Sequence, residues 1–542
     1  MNILLVHARF PVTYWGFQNS LWIVGKKASL PPLGLLTLAA LLPDRWTLRL
    51  VDLNVRALDD GDLRWADAVL VGGMLVQADS MREVCRRARA LGRRTVVGGP
   101  APSTCPELFE EADVVFRGEA EGRVDELVAT VESGGPERRV LDAPAGVYPD
   151  VTTVPAPRYD LVDLSSYASV SLQYSRGCPY HCEFCDVIEI FGRRPRVKTP
   201  EQVLTELANL HAQGYRGSVF FVDDNFIGNR PAVRELLPVV ARWQRERGYP
   251  FELYTEASVN LAADDDLVGA MVEAGFSSVF LGIETPSMET LAQANKHQNL
   301  KLDLHEAVDR LSRSGLEVMG GFIVGFDGDG PEALEAQRRF IESSPIPLSM
   351  VGVLTALPGT ALWKRLQAEG RLREQSSGDQ FGRPNFEPVM DEEDLLRGYA
   401  GLMRAIYSPA AYYRRCELHI ERAAPRPSSA GRSRSEIAAL LRTLWHVGVR
   451  SPRRLPFWRL LYKSLRGGTQ SIRWAIAHAV QGEHLIRYTE EQVVPRIEAA
   501  ARSVARDRAQ GRPRTTTPES SVEELSAPPT AQATPSPSTV TA

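Results

Sequence analysis

Cys178, Cys182 and Cys185 share an eight-residue stretch, Cys178-Pro179-Tyr180-His181-Cys182-Glu183-Phe184-Cys185. Thiolates are soft ligands, and a CxxxCxxC spacing directly after a strand lets one loop wrap around an iron–sulfur cluster. Full thiolate ligation of a 4Fe–4S cluster takes four cysteines, so three leave one iron open to an exogenous ligand. A zinc site would want a fourth Cys or His at regular spacing. His181 is present, but it lies between ligands, where it would have to point the same way as its neighbours. A purely structural cysteine cluster is the third reading. Cys85 and Cys105 stand 20 residues apart, the first in a helical pattern, and do not form a second triad. Cys416 falls in helical sequence as a small thiol.

The elements that must carry this loop are legible as two strand–helix alternations. In residues 1–150, short β-branched or Leu-rich runs at 2–6, 47–51, 68–72, 95–98 and 114–116 are bounded by turns, as buried parallel strands are. Helical patterns at 33–42, 80–91 and 120–132 lie between them. This predicts a flavodoxin-like doubly wound α/β domain. Ligands in such sheets sit beyond the carboxyl ends of the strands, which singles out Gly72-Gly73-Met74 and Gly98-Gly99-Pro100. Tight turns with no ligand are the alternative. A Pro-rich connector, Val154-Pro155-Ala156-Pro157-Arg158, marks a boundary. Six further strand runs follow at 169–174, 218–222, 252–258, 278–283, 318–324 and 350–354. Thr199 and Pro200 open the helix between the first two. Six units predict an open (β/α)6 partial TIM-barrel over 155–375. A helical region follows over 376–505, clearest at 392–406 and 436–447. The segment 510–542 carries no aromatic residue and few large apolar ones, the composition of a disordered tail.

The 542 residues include 63 Lys+Arg and 67 Asp+Glu, a formal net charge of −4, with 44% hydrophobic residues. That balance excludes a wholly basic nucleic-acid coat and a wholly disordered chain. Six Cys in so long a chain do not make a disulfide scaffold. The chain opens as a strand without a basic leader or cleavage site, and the apolar stretch 31–43 is too short to span a bilayer. A reducing cytoplasmic setting is the expectation. The near-neutral total conceals one asymmetry. Residues 422–482 hold twelve Arg/Lys (among them Arg426, Arg432 and Arg434) against Glu436 alone, interleaved with Trp445, Phe457, Trp458, Tyr462 and Trp474. Basic segments with Trp suit an anionic membrane surface. A solvated face on a helical domain that packs its aromatics inward is the other reading.

At the triad the sequence resembles the radical S-adenosylmethionine (SAM) superfamily, whose CxxxCxΦC signature puts an aromatic, here Phe184, before the last Cys. The resemblance implies a [4Fe–4S] cluster on Cys178, Cys182 and Cys185, with SAM chelating the open iron and cleaved to a 5′-deoxyadenosyl radical. Asp223-Asp224-Asn225 follows the second barrel strand, where the superfamily's SAM-amino-contacting motif sits. Glu284 ends the fourth strand, where a polar side chain commonly meets the SAM ribose. Gly321-Phe322-Ile323-Val324-Gly325-Phe326 fits the fifth-strand motif near adenine. Taken singly these are a strand-end turn, a helix cap and buried strand glycines; together they fall in register behind the triad.

Lys26 to Leu36, Val97-Gly98-Gly99-Pro100 and Arg117-Gly118-Glu119-Ala120-Glu121 resemble cobalamin-binding radical SAM proteins over about residues 1–375. The nearest resemblance is to a branch with a helical C-terminal extension that includes hopanoid C-methylases. Its marks here are Phe10-Pro11-Val12-Thr13-Tyr14-Trp15, Asp52-Leu53-Asn54-Val55-Arg56 and Asp223 to Asn229. The resemblance places a corrinoid against Gly72, Gly73, Met74, Gln77, Gly98 and Gly99, with the loop 74–77 facing cobalt. The DxHxxG motif that supplies a cobalt-ligating histidine is absent, and His7 reads as a packed or capping residue, so cobalamin without a histidine lower ligand is expected. The implied reaction is C-methylation of an unactivated carbon: one SAM methylates cobalt, a second yields the radical that activates the substrate, and the methyl passes from cobalt to the substrate radical. The sequence assigns no general base. Expected partners are a small-molecule or lipid substrate and an electron donor such as flavodoxin or ferredoxin. A peripheral contact of 422–482 with the inner membrane face is the membrane version of this reading. Nucleic acid is not expected, since no recognition motif is present. Two other classes stand beside the methylase: a cobalamin radical SAM enzyme with ring-contracting or cyclising chemistry, and a non-catalytic corrinoid sensor, against which the intact triad argues.

Overall fold

The computed structural model describes residues 1–135, 138–144, 146–427 and 434–510, with backbone alone for 434–436. The segment read as a tail, from 511 onward, lies outside them, as do Arg432 and the side chains of Arg434 and Glu436. The first unit is a parallel sheet of β1 (Asn2–His7), β2 (Thr47–Asp52), β3 (Ala68–Gly72), β4 (Arg94–Gly98), β5 (Val114–Phe116) and β6 (Arg139–Leu141), in the order β2-β1-β3-β4-β5-β6. Strand alternation explains why it is covered on both faces. Leu4 and Val6 of β1 enter one apolar cluster with Val84 and Phe109, while Ile3 and Leu5 enter another with Leu35 and Val131. The order reverses at β1, which puts a crevice at the carboxyl ends of β1 and β3. The edge strand β6, largely exposed, has no apolar run to announce it.

The second unit is the expected open sheet. It runs β7 (Ser169–Leu172), β10 (Gly217–Phe221), β11 (Phe251–Ala257), β12 (Phe276–Glu284), β13 (Glu317–Val324) and β14 (Ser349–Val353), all parallel and in chain order. The helix Pro200–Ala212 starts where expected, with Thr199 and Gln202 forming a capping box. A two-stranded antiparallel ribbon, β8 (Ser175–Arg176) with β9 (Arg196–Val197), closes the base of the cysteine loop. β7 stops at Leu172 rather than Tyr174, because the backbone N–H groups of Tyr174 and Ser175 donate to the Asp223 carboxylate instead of to a neighbouring strand.

The C-terminal region is helical from Glu392, through Glu392–Ile406, Pro409–Arg422, Arg434–Trp445, Arg454–Ser464, Gly468–Tyr488 and Val494–Ala509. Its apolar faces share one core with the barrel: Tyr399, Met403, Phe457, Leu485 and Ile497 belong to the same cluster as Leu253, Leu281 and Val318. Residues 9–29 act as a strap joining all three units. Tyr14 Oη lies 2.6 Å from Thr489 Oγ1, Tyr488 Oη donates to Val12 O at 2.7 Å, and Lys27 N donates to Ser166 O at 2.8 Å. Burial lowers His484 to a pKa of about 4, so its neutral ring accepts from Asn19 N at Nδ1 and donates to Thr13 O at Nε2. Among the described residues, no helix is long and apolar enough to cross a membrane.

Candidate active site

The cysteine loop leaves β8 at Gly177, whose φ of +92° and close approach to the carbonyls of Phe191, Gly192 and Arg194 exclude a Cβ. All three thiols are free, with Cys182 buried and Cys178 and Cys185 half-buried. Two side-chain amides approach the sulfurs: Asn225 Nδ2 is 3.9 Å from Cys178 Sγ, and Gln298 Nε2 donates to Cys182 Sγ at 3.4 Å. Burial pushes the Cys178 and Cys185 thiols up, so metal binding there would release protons. Three soft donors on one loop, with Cys178 and Cys185 each near enough to act on Cys182 and with amide donors around them, fit an iron–sulfur cluster; His181, by contrast, is exposed.

The run after β10 splits by role. Asp223 is turned into the protein, accepting from Tyr174 N at 2.8 Å, Ser175 N at 2.9 Å and Ser175 Oγ at 2.8 Å, which fixes the start of the loop. Asp224 accepts from Gly177 N at 3.0 Å, and Asn225 bridges Cys178 to Ser258. Ser258 continues to Asn260 and on to Tyr180 inside the loop. Glu284 sits where β12 bulges, in the left-handed region at φ +65°, and its Oε1 accepts from Lys296 Nζ at 2.6 Å. Burial opposes the Lys296 charge, but Glu284, Cys182 and Cys185 more than offset it and hold the ammonium protonated. Phe184 packs edge-on to Phe326 with the Lys296 ammonium 5.8 Å from its ring.

Glu256 is the group that sequence reading missed. It alternates with Leu253 and Thr255 on β11 and points into the barrel, and burial, followed by Asp224 and Asp223, pushes it up to about 8. Asp223 rises to about 7 and Asp224 to about 6, each chiefly through burial. The strand-period alternation around Glu256 was the available signal. Phe280, the register partner of Glu256 on β12, belongs to the wall of a cavity of about 300 Å³ that is also lined by Trp15, Phe184, Glu284, Ile323 and Met350.

Two contacts of the first unit with this site stand out. Glu119 and Glu121, in the loop after β5, clamp the ribbon under the cysteines. Glu119 pairs with Arg176 at 2.5 Å and Arg196 at 2.7 Å, and Glu121 with Arg176 at 2.7 Å. The two acids are only 6% and 7% exposed. At the second contact, Gly378, in the segment that also lines the cavity, abuts Leu75 and Val76. The sheet edge there is open: Gly99, at φ +102°, lies with its Cα face against Gly73 O, and Met74 is 52% exposed. Gln77 differs from the expectation that it faces the crevice. It is 1% exposed, its Oε1 accepting from Met74 N and its Nε2 donating to Ala8 O. His7 ends β1 against Phe10, its pKa lowered by burial.

Comparison with known proteins agrees with this architecture. Residues 26–128 match the B12 binding domain, 172–341 the radical SAM superfamily, and 360–498 a domain of unknown function, DUF4070. An uncharacterized methyltransferase of Synechocystis is 41% identical, over 90% of this chain and 92% of its own. The hopanoid C-2 methylase of Rhodopseudomonas palustris is 38% identical, over 90% of this chain and 94% of its own. Among solved structures, the radical SAM methyltransferase TsrM from Kitasatospora setae, with cobalamin and a [4Fe–4S] cluster, superposes with a TM-score of 0.59 at 18% identity, covering 90% of this chain and 99% of that one. Two relatives at this identity across nine-tenths of the sequence decide its membership: the chain belongs to the B12-binding radical SAM methyltransferases.

Proposed function

We propose that the protein methylates an unactivated carbon of a hopanoid-like lipid. The observation that carries this reading is the cavity's position. Its aromatic and aliphatic wall stands between the cysteine loop, through Phe184, and the loop at the open sheet edge, through Gly378 and Val76. The 38% identity to a hopanoid C-2 methylase supports the substrate class. When bound, the cluster and SAM supply a deoxyadenosyl radical and methylated cobalamin supplies the methyl group.

The chain's own residues hold and exclude. Cys178, Cys182 and Cys185 ligate iron, and Asn225 and Gln298 direct amide donors at the sulfurs. Asp223 positions the loop. Asp224 and Glu256, raised by burial, face the space where the cationic ammonium and sulfonium of SAM would relieve them, with Glu284 and Phe184 along its ribose and adenine side. Gly72, Gly73, Gly98 and Gly99 let the corrinoid approach the sheet edge, with Met74 above them and Gln77 bracing the loop from beneath. His7 ends β1 but packs against Phe10, and the corrinoid is expected to bind without a histidine lower ligand; a nitrogen superhyperfine splitting from a histidine in the EPR spectrum of the cob(II)alamin form would overturn that. An electron donor such as flavodoxin or ferredoxin serves the cluster.

The basic stretch 422–482 supports delivery from a bilayer. Phe457, Leu460 and Trp474 pack inward, but Leu441, Trp445, Leu455, Trp458 and Tyr462 are exposed beside Arg450, Arg454 and Arg466, which have no ion pair among the described residues. Trp22 of the strap joins this face through an edge contact with His446 at 4.6 Å, and Trp15, seven residues earlier, lines the cavity. The decisive experiment is anaerobic turnover of the reconstituted protein with a hopanoid and methyl-labelled SAM. Label in the lipid is expected; deoxyadenosine formation with an altered but unlabelled product would replace this reading with ring-contracting or cyclising chemistry.

A further inference from the structure

A second group of ligand-type side chains lies outside the cluster and corrinoid sites. Glu317 opens β13, at the end of the barrel opposite the cysteine loop, His419 lies in the helix Pro409–Arg422 and His478 in Gly468–Tyr488. One nitrogen of each ring and one Glu317 oxygen lie within 4.8 Å of one another. The two histidines are 0% and 1% exposed. Neither ring nitrogen of His419 has a hydrogen-bond partner, and Nε2 of His478 has none. A neutral imidazole carries one donor and one lone pair, so burying His419 with neither satisfied is costly unless something else meets them. Packing does not account for the choice: His419 meets Trp474 edge-on at 4.8 Å and His478 at 5.3 Å, contacts that an apolar ring would make without that cost.

The surroundings suit a cation. Gln481 Oε1 lies 3.2 Å from His478 Nδ1, the kind of outer hydrogen bond that orients a ligating imidazole, and Glu317 Oε1 lies 3.8 Å from the same nitrogen. The buried guanidinium of Arg426 lies near enough to act on His419 and Glu317, but its hydrogen bond and its ring contact are made elsewhere. It donates to Ser277 O at 2.8 Å, stands 3.9 Å from Glu252 and lies over the Trp474 ring. Cys416, one turn before His419, is not part of the close set.

We infer that Glu317, His419 and His478 bind a divalent transition-metal ion, zinc, which pins β13 to two helices of the C-terminal region. Two imidazoles and one carboxylate are the borderline N/O set that zinc takes; calcium and magnesium would want oxygens throughout. Atoms bound to one zinc at about 2.0–2.2 Å stand about 3.3 Å apart, so filling the site draws the three groups together by up to about 1.5 Å. The substrate cavity touches none of the three residues, which marks the site as structural.

The test is metal analysis of the full chain after equilibration with micromolar zinc and gel filtration. About one zinc per chain is expected. It should persist in C178A/C182A/C185A, which loses the cluster iron, and fall at least about tenfold in H419Q, H478Q and E317Q. Cobalt(II) loading of the wild type should give the visible d–d absorption of a tetrahedral N/O site, so the outcome does not depend on a variant folding. Less than about a tenth of a zinc per chain in the wild type, together with no cobalt spectrum, overturns the inference; so does zinc retained in both histidine variants.

Discussion

Neutralising Glu119 is the sharpest perturbation of the contact between the two cofactor-binding units. Its carboxylate serves two guanidiniums at once: Arg176 at 2.5 Å and Arg196 at 2.7 and 3.1 Å, with the arginines 12% and 15% exposed. In E119Q, Arg176 keeps Glu121, but Arg196 is left with the carbonyls of Pro149 and Phe191. Breaking a buried pair by removing one partner costs about 3–5 kcal/mol. The glutamine oxygen still accepts one hydrogen bond, which brings the expected loss to about 2–3 kcal/mol. Because the entropy of unfolding scales with length, a chain of this size loses about 1 °C per kcal/mol, and Tm should fall by about 2–3 °C. E121Q should cost about half as much, because Arg176 retains Glu119. The double variant E119Q/R196M should recover part of the loss, since it no longer strands a charge. The assay is anaerobic thermal unfolding of the reconstituted protein, with iron per chain measured in parallel. Both should fall in E119Q, because the ribbon that it grips is the base of the cysteine loop. An E119Q protein within about 0.5 kcal/mol of wild type and with full iron content would refute the reasoning, and the contacts would then rank with exposed ion pairs.

Three further outcomes are expected. D223A strands two backbone N–H groups and the Ser175 hydroxyl, and should reduce iron per chain by half or more; full iron content would show that the loop does not depend on that carboxylate. Glu256, at about 8 in the folded chain against an ordinary 4.5, holds a proton that the unfolded chain has lost between those values, so its contribution to stability falls as pH rises from 4.5 to 8 and levels off above. In cofactor-free protein, E256Q should therefore gain at least about 1 kcal/mol over wild type between pH 5 and pH 8; parallel unfolding curves would contradict this. W445S/W458S and R450E/R454E should each weaken co-sedimentation with phosphatidylserine vesicles at least about tenfold at low salt; unchanged binding, or none by the wild type, removes the membrane face.

Local pattern carried most of the architecture. Both sheets were legible because buried parallel strands are continuous apolar runs bounded by turns, and the cysteine loop because ligand spacing is itself local. β6 escaped notice because an exposed three-residue edge strand has no such run. The site's remaining parts depend on which side of an element faces in and on which distant partner meets it. Asp223 reads in sequence as a ligand-facing acid, yet its oxygens are consumed by Tyr174 and Ser175, 49 and 48 residues away. Glu119 and Glu121 were conspicuous, but nothing near them in sequence says that their counter-ions are Arg176 and Arg196. The basic stretch showed its charge by composition, whereas the division between inward Phe457 and Trp474 and outward Trp445 and Trp458 is set by tertiary packing.

The strap has a consequence for descent. Residues 26–128 are the part recognisable as a B12 module, and they exclude Val12, Thr13 and Tyr14, whose partners lie on Tyr488, His484 and Thr489 near the far end of the chain. A recombination that joined this module to another barrel would transfer its sheet intact and still leave those partners unmatched. The opening residues and the C-terminal helices are thus heritable only as a set, with a change at Tyr14 tolerated where Thr489 changes with it. Along this lineage the three units are expected to diverge in step, as one gene would, although each could have been borrowed separately.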